Sequence, residues 1–127
     1  MKKLLLMDDD EAIRSVMTKL MAIRGYTLET APDGDETLEK YEAALTTEKP
    51  FDAVILDFTI VDGMNGKDTM IELCKLDSKV IGILATGNAQ SHEALKYKEH
   101  GFKDLISKPY TVDELEKILK KHLHFNG

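Results

Sequence analysis

Residues 53–66 read AVILDFTIVDGMNG: an apolar run that stops on the carboxylate of Asp57 and breaks at once into a turn-rich stretch. Uninterrupted apolar side chains suit a strand buried on both faces, as in a parallel sheet covered by helices. Outward from this stretch the chain alternates two periods, short runs of Leu, Val and Ile and longer segments with apolar residues three and four apart. Upstream, a strand over Lys3–Met7 precedes a helix from about Asp10 to Arg24, with Ile13, Val16, Met17, Leu20 and Met21 on its apolar face and Gly25 as terminator. A strand over Thr27–Ala31 alternates polar and apolar residues as an edge strand does, and Pro32, Asp33 and Gly34 start a helix carrying Leu38, Tyr41 and Leu45. Downstream, a helix from about Lys67 to Leu76 packs through Met70, Ile71 and Leu73, and Val80–Ala85 forms the most uniformly apolar strand. A helix over roughly Gln90 to His100 closes at Gly101, Lys103–Ser107 is the fifth strand, and Thr111 with Glu114 forms a capping box for a helix ending near Leu123.

Five strands separated by helices, three of them apolar on both faces, predict an α/β fold with a parallel five-stranded sheet between two helical layers. Right-handed crossovers then put every strand's C-terminal end on one edge, where such sheets bind ligands. Asp8 and Asp9, Asp57, Thr86 and Lys108 are expected to meet there. Three converging carboxylates repel one another and call for a cation, and Mg²⁺ suits an all-oxygen donor set. A carboxylate beside such an ion can attack phosphorus and form an acyl phosphate. Lys108 supplies a second positive charge for phosphoryl oxygens, the Thr86 hydroxyl donates a hydrogen bond to another, and Gly87 leaves room for the approach. Each residue also has a plain structural reading. Asp10 and one of the Asp8/Asp9 pair suit a helix cap, and an isolated acid at a strand end or an isolated Lys-Pro is a common turn. Their coincidence at separate strand ends favours a site.

Composition narrows the alternatives. A chain of 127 residues with 43% hydrophobic content suits one domain, expected over 1–124 with 125–127 as a short tail. The opening MKKLLLM is too short an apolar stretch for a secretory signal, and no other run approaches the roughly 20 residues that span a bilayer. Cys74 is the single cysteine and reads as a small core residue, which fits a reducing cytoplasm and a cytoplasmic location. A net charge of −6 with no basic block and no Trp argues against direct nucleic-acid binding. The four histidines lack zinc-ligand spacing, DDDE lacks the spaced acids of a calcium loop, and no lysine of Walker type follows DGMNG.

Four segments, in order, resemble the receiver domains of two-component response regulators: LLLMDDDE, VILDFTIVDGMNG, ILATG and LISKPY. The resemblance covers essentially the whole chain and, in the wording of DFTIVDGMNG and ATGNAQSHE, is closest to the receivers of hybrid sensor histidine kinases. It implies a flavodoxin-like (βα)5 fold with strand order 2-1-3-4-5. It also implies that Asp57 is the phosphoacceptor, that Asp8, Asp9 and the Thr59 carbonyl join Asp57 in holding Mg²⁺, that Thr86 is the switch hydroxyl and that Lys108 contacts the phosphoryl group. The Lys108–Pro109 peptide is expected to be cis, and Thr59 and Asn88 fall where the family tunes autodephosphorylation. Three departures stand out. Val61 replaces the usual proline, the segment from Asp57 to Gly66 is one residue longer than the common pattern, and Leu105 occupies the position of the aromatic switch residue. The first two predict a longer, more mobile loop.

The function this implies is a signalling receiver that takes a phosphoryl group from a histidine kinase or histidine phosphotransfer protein. It would then alter a surface of helix four, strand five and helix five for an unidentified output partner, with Lys96, Tyr97 and Tyr110 as exposed candidates. Two alternatives are a phosphohydrolase of the haloacid-dehalogenase kind using Asp57 as nucleophile, and an unphosphorylated docking module. The chain reads either as a single-domain regulator, which Met1 favours, or as a piece of a larger protein.

Overall fold

In the computed structural model, which describes residues 2–60 and 63–123, strands and helices alternate along the chain. They are β1 (Lys3–Met7), α1 (Glu11–Ile23), β2 (Thr27–Ala31), α2 (Gly34–Leu45), β3 (Ala53–Asp57), α3 (Gly66–Leu76), β4 (Gly82–Thr86), α4 (His92–Leu95), β5 (Asp104–Ser107) and α5 (Val112–His122). All strand pairs are parallel and the order is β2-β1-β3-β4-β5, the flavodoxin-like arrangement. In this register Asp57 stands beside Ala85 and Thr86 beside Ser107, so the ends of β3, β4 and β5 lie level.

Every residue of β3 and β4 is buried, because side chains of either parity meet a helical layer. Leu4, Leu6, Ile55, Ile83 and Ala85 face α1 and α5, where Met17, Met21, Leu115 and Leu119 complete one half of the core. Leu5, Leu56 and Leu84 point the other way, to Tyr41 of α2, Met70 and Leu73 of α3 and Ala94 of α4. Strand β2 forms one edge, with only Leu28 and Ala31 buried.

Local signals set the helix ends. Asp10 caps α1 by accepting from the Ala12 and Ile13 amides, and Thr111 with Glu114 forms the expected capping box on α5. Gly25, at φ 88°, terminates α1 with the Tyr26 amide donating to Met21 O and the Gly25 amide to Ala22 O.

Several details differ from expectation. The helix read over Gln90–His100 is α-helical only over His92–Leu95 and continues as turns to Gly101, with the Lys96, Tyr97 and Glu99 amides donating three residues back. Helices draw most of their stability from a packed face, and α4 buries only Ala94. On α1, Val16 is 53% and Leu20 39% exposed. At about 100° per residue Val16 lies roughly 120° around from the middle of the Met17/Met21 stripe, beyond the reach of the sheet. Ile71 of α3 is also exposed, and Thr69 takes the buried place. The expected effect of Val61 concerns Val61 and Asp62, which lie outside the described residues.

Asp104 ties the start of β5 to the end of α5. Its Oδ2 lies 2.9 Å from His122 Nε2 and accepts from Lys121 Nζ, and its Oδ1 accepts from the Leu105 amide. Burial pushes this carboxyl up, but the contacts, His122 first, outweigh it and hold the pKa below the ordinary value. The unfolded chain therefore binds the proton more readily, so the contact stabilises above the ordinary carboxylate range and is lost as pH falls through the folded value. Asp104→Asn is expected to cost about 1 kcal/mol at neutral pH. In urea unfolding the gap to wild type should close in acid; a gap independent of pH would contradict this.

Candidate functional site

The C-terminal edge of the sheet gathers the acids. Asp8, immediately after β1, is 2% exposed, and Asp57, the last residue of β3, is 7% exposed, whereas Asp9 stands open to solvent. Each of the three offers a carboxylate oxygen, and these oxygens lie within 4.8 Å of one another. Asp8 is fixed from several directions: its amide donates to Ala31 O at 3.0 Å, its Oδ1 accepts from the Asp10 amide at 2.9 Å, and Arg14 Nη1 donates to its carbonyl at 2.8 Å.

Lys108 reaches into this cluster from the segment after β5. Its Nζ donates to Asp8 Oδ2 at 3.1 Å and to Asp57 Oδ2 at 3.2 Å, and its amide donates to Thr86 O at 2.8 Å, which ties its backbone to the end of β4. The peptide to Pro109 is cis, as the resemblance implied. Burial lowers the Lys108 ammonium, but Asp57 and Asp8 overcome it and hold its pKa above the usual value. Asp57 moves up as well: burial is the main cause, the Asp8 charge adds to it, and Lys108 opposes it only in part. A buried carboxylate left with unbalanced negative charge, beside two more acids and level with the ends of three strands, fits a divalent cation with oxygen ligands.

Thr86 ends β4 with 5% exposure, and its hydroxyl accepts from the Asn88 amide at 3.2 Å. Gly87 is exposed, and a Cβ there would meet nothing within 4 Å, so the space above the strand end is open. Thr59 is exposed beyond Asp57, and its amide makes a long 3.4 Å contact with Asp57 Oδ1. Leu105, half-buried, packs in the same half-core as Ala94 and Tyr97.

Two contributors escaped the sequence reading, and a third was placed differently. Arg14 looks like a solvent-face residue in sequence, and nothing there signals its bond to the Asp8 carbonyl. Gly66 opens α3 directly on the backbone of the β3 end: an added Cβ would lie 2.5 Å from Asp57 O, and the glycine amide donates to Phe58 O at 3.3 Å. Its signal was a glycine at a helix start. Tyr110 was expected to be exposed but is half-buried against the α1/α5 half-core, and burial, then Asp8 and Asp57, push its hydroxyl up to about 12. Lys96 and Tyr97 are likewise half-buried, and Leu95, at 57%, is the exposed apolar residue of α4.

Beside Lys108 an apolar groove of about 710 Å³ runs between α1 and the start of α5. Ile13, Val16 and Leu20 form one wall, and Pro109, Tyr110 and Val112 the other. No helix among the described residues is long and apolar enough to cross a membrane.

Comparisons with known proteins agree with this geometry. The transcription factor SKN7 of Saccharomyces cerevisiae is 29% identical over 122 residues, which cover 94% of this chain and 18% of the relative. The chain thus spans only a small part of the length of such transcription factors, 15 to 21% among four fungal relatives. Sporulation initiation phosphotransferase F of Bacillus subtilis is 29% identical over 122 residues, with 96% of this chain and 94% of that one covered. The structure of the response regulator protein TrrA from Thermotoga maritima, in complex with Mg²⁺-BeF, matches with a TM-score of 0.81 at 30% identity, covering 97% of this chain and 100% of the other. The family model for the response regulator receiver domain matches residues 4–120, and with the fold and the acidic cluster in agreement, the chain belongs to that family of two-component signalling proteins.

Proposed function

We propose that this receiver accepts a phosphoryl group onto Asp57 from a phosphohistidine of a histidine kinase or histidine phosphotransfer protein. The observation that carries the reading is the Asp8/Asp9/Asp57 cluster with Lys108 Nζ bonded to two of its acids. Lys108 engages Asp57 through Oδ2, which leaves Oδ1, with only its long contact to Thr59, as the attacking atom. The phosphorus–nitrogen bond of the donor breaks, a phosphorus–oxygen bond to Asp57 forms, and the departing imidazole takes up a proton. Mg²⁺ held by Asp8, Asp9, Asp57 and the Thr59 carbonyl would supply charge neutralisation for the transferring group. Lys108 holds one phosphoryl oxygen and the Thr86 hydroxyl donates to another. Thr86 and Leu105 then bias a two-state equilibrium of the face made by α4, β5 and α5, which an output partner reads.

The test is incubation with acetyl phosphate. Labelling that depends on Mg²⁺ and disappears with chelator supports the reading, and a wild-type chain that stays unlabelled with Mg²⁺ present overturns it.

The groove between α1 and the start of α5 suits the docking of the protein donor, because Lys108 belongs both to the groove and to the acidic cluster. Leu20→Asp puts a charge on its apolar wall. Phosphotransfer from the partner is expected to slow about tenfold, the size of a modest interface hot spot, while labelling by acetyl phosphate stays unchanged. Equal slowing of both reactions would place the effect on Asp57 rather than on docking.

A further inference from the structure

A second, more polar cleft of about 300 Å³ opens on the other side of the phosphoacceptor strand, between the segment after β3 and the start of α4. Its walls are Phe58, Thr59, Ile60 and Asn65 on one side and Glu93 on the other, with Lys67 spanning them. Lys67 Nζ lies 4.0 Å from Glu93 Oε2, with the two side chains 39% and 55% exposed. The two ends of this pair are anchored very differently. Lys67 follows Gly66, which rests on the Asp57 carbonyl, and the Asn65 side chain caps α3 by accepting from the Asp68 amide at 2.9 Å. Glu93 belongs to a four-residue helix that buries only Ala94, starts from the Ser91 cap and gives way to turns.

We propose that the Lys67–Glu93 pair is an electrostatic latch, which holds α4 across the cleft beside Asp57 and restricts both the motion of α4 and access to the phosphoacceptor. The inference rests on Asp57 as the phosphoacceptor and adds a residue pair that regulates that site. The firm end of the latch is continuous with the backbone of the phosphoacceptor strand, while the loose end is the helix with the smallest buried face. Loss of either charge therefore acts on α4 and leaves β3 in place.

The experiment uses Lys67→Ala, Glu93→Ala and the charge-swapped chain carrying Lys67→Glu with Glu93→Lys. Amide exchange over His92–Tyr97 is expected to quicken about two- to fivefold in each single variant, the range that an exposed ion pair carries. Initial labelling by acetyl phosphate with Mg²⁺ should quicken by a similar factor. The swapped chain should return both towards wild type, and high salt should make wild type behave like the single variants. Unchanged exchange in the single variants overturns the latch, as does unchanged labelling where exchange has quickened. Failure of the swap to restore either quantity also overturns it, since it would assign the effect to lost side-chain packing. If no chain is labelled, the phosphoacceptor reading falls, while the exchange measurement still decides whether the pair holds α4.

Discussion

Asp57→Asn is expected to take up no phosphoryl group from acetyl phosphate or from a protein phosphohistidine. The amide keeps the shape of the carboxylate, so the loss reports on chemistry. Asn has no anionic oxygen to attack phosphorus, and the Asp8/Asp9 pair loses its third acid. Intact-mass measurement after incubation with Mg²⁺ should show labelled wild type and an unlabelled variant. Undiminished labelling would move the nucleophile elsewhere. The same substitution carries a second expectation with a definite sign. The folded pKa of Asp57 is raised, chiefly by burial, so between the ordinary carboxylate value and the raised one the folded chain binds the proton more tightly than the unfolded chain. Stability therefore falls as pH rises through that window, and the penalty persists at neutral pH. Asn carries no such penalty. Without metal the variant should melt above wild type near neutrality, and the difference should narrow in acid as wild-type Asp57 becomes protonated. A variant that melts below wild type at pH 7 would show that the bond to Lys108 outweighs burial and the Asp8 charge.

Gly66→Ala has the second large effect, and it arises from backbone rather than charge. The new Cβ would stand 2.5 Å from Asp57 O and 3.1 Å from Phe58 Cα. Both are main-chain atoms at the end of a central strand, so relief requires the first turn of α3 to move off β3. Forced overpacking of this kind costs about 1–3 kcal/mol. The bond from Gly66 N to Phe58 O would lengthen, and the segment carrying Thr59 would shift relative to Asp57. The variant is expected to lose stability by that amount in urea titration and to be labelled more slowly by acetyl phosphate. For stability, Gly87→Ala is the matched control, since its Cβ would meet no atom within 4 Å. Equal stability of the two variants would contradict the packing argument.

The strands were legible because three of them are apolar at both parities, a pattern with few competing solutions, and their order then followed from the family resemblance. The meeting of Asp8 and Lys108, 100 residues apart, followed from topology alone. Helix α4 was misread because its propensity is good while its anchoring depends on neighbours: GNAQSHEALKYKEH offers Ala94, Leu95 and Tyr97, and only Ala94 finds a buried place. Val16 and Leu20 share the apolar face of α1 yet stay exposed, because apolar spacing records a hydrophobic face without recording what covers it. Gly66 and Arg14 act on main-chain atoms, Gly66 on the end of β3 and Arg14 on the Asp8 carbonyl six residues back, and side-chain patterning does not encode such contacts.

The sheet leaves the two half-cores with no common packing, and this separates two design problems in one small chain. Met17, Met21, Leu115 and Leu119 can be repacked on one side while Met70, Leu73 and Ala94 on the other keep their neighbours. Substitutions that share no partners tend to add. An engineer can therefore harden the layer of α1 and α5 for expression or shelf life while the packing of α3 and α4 against the sheet stays as it is.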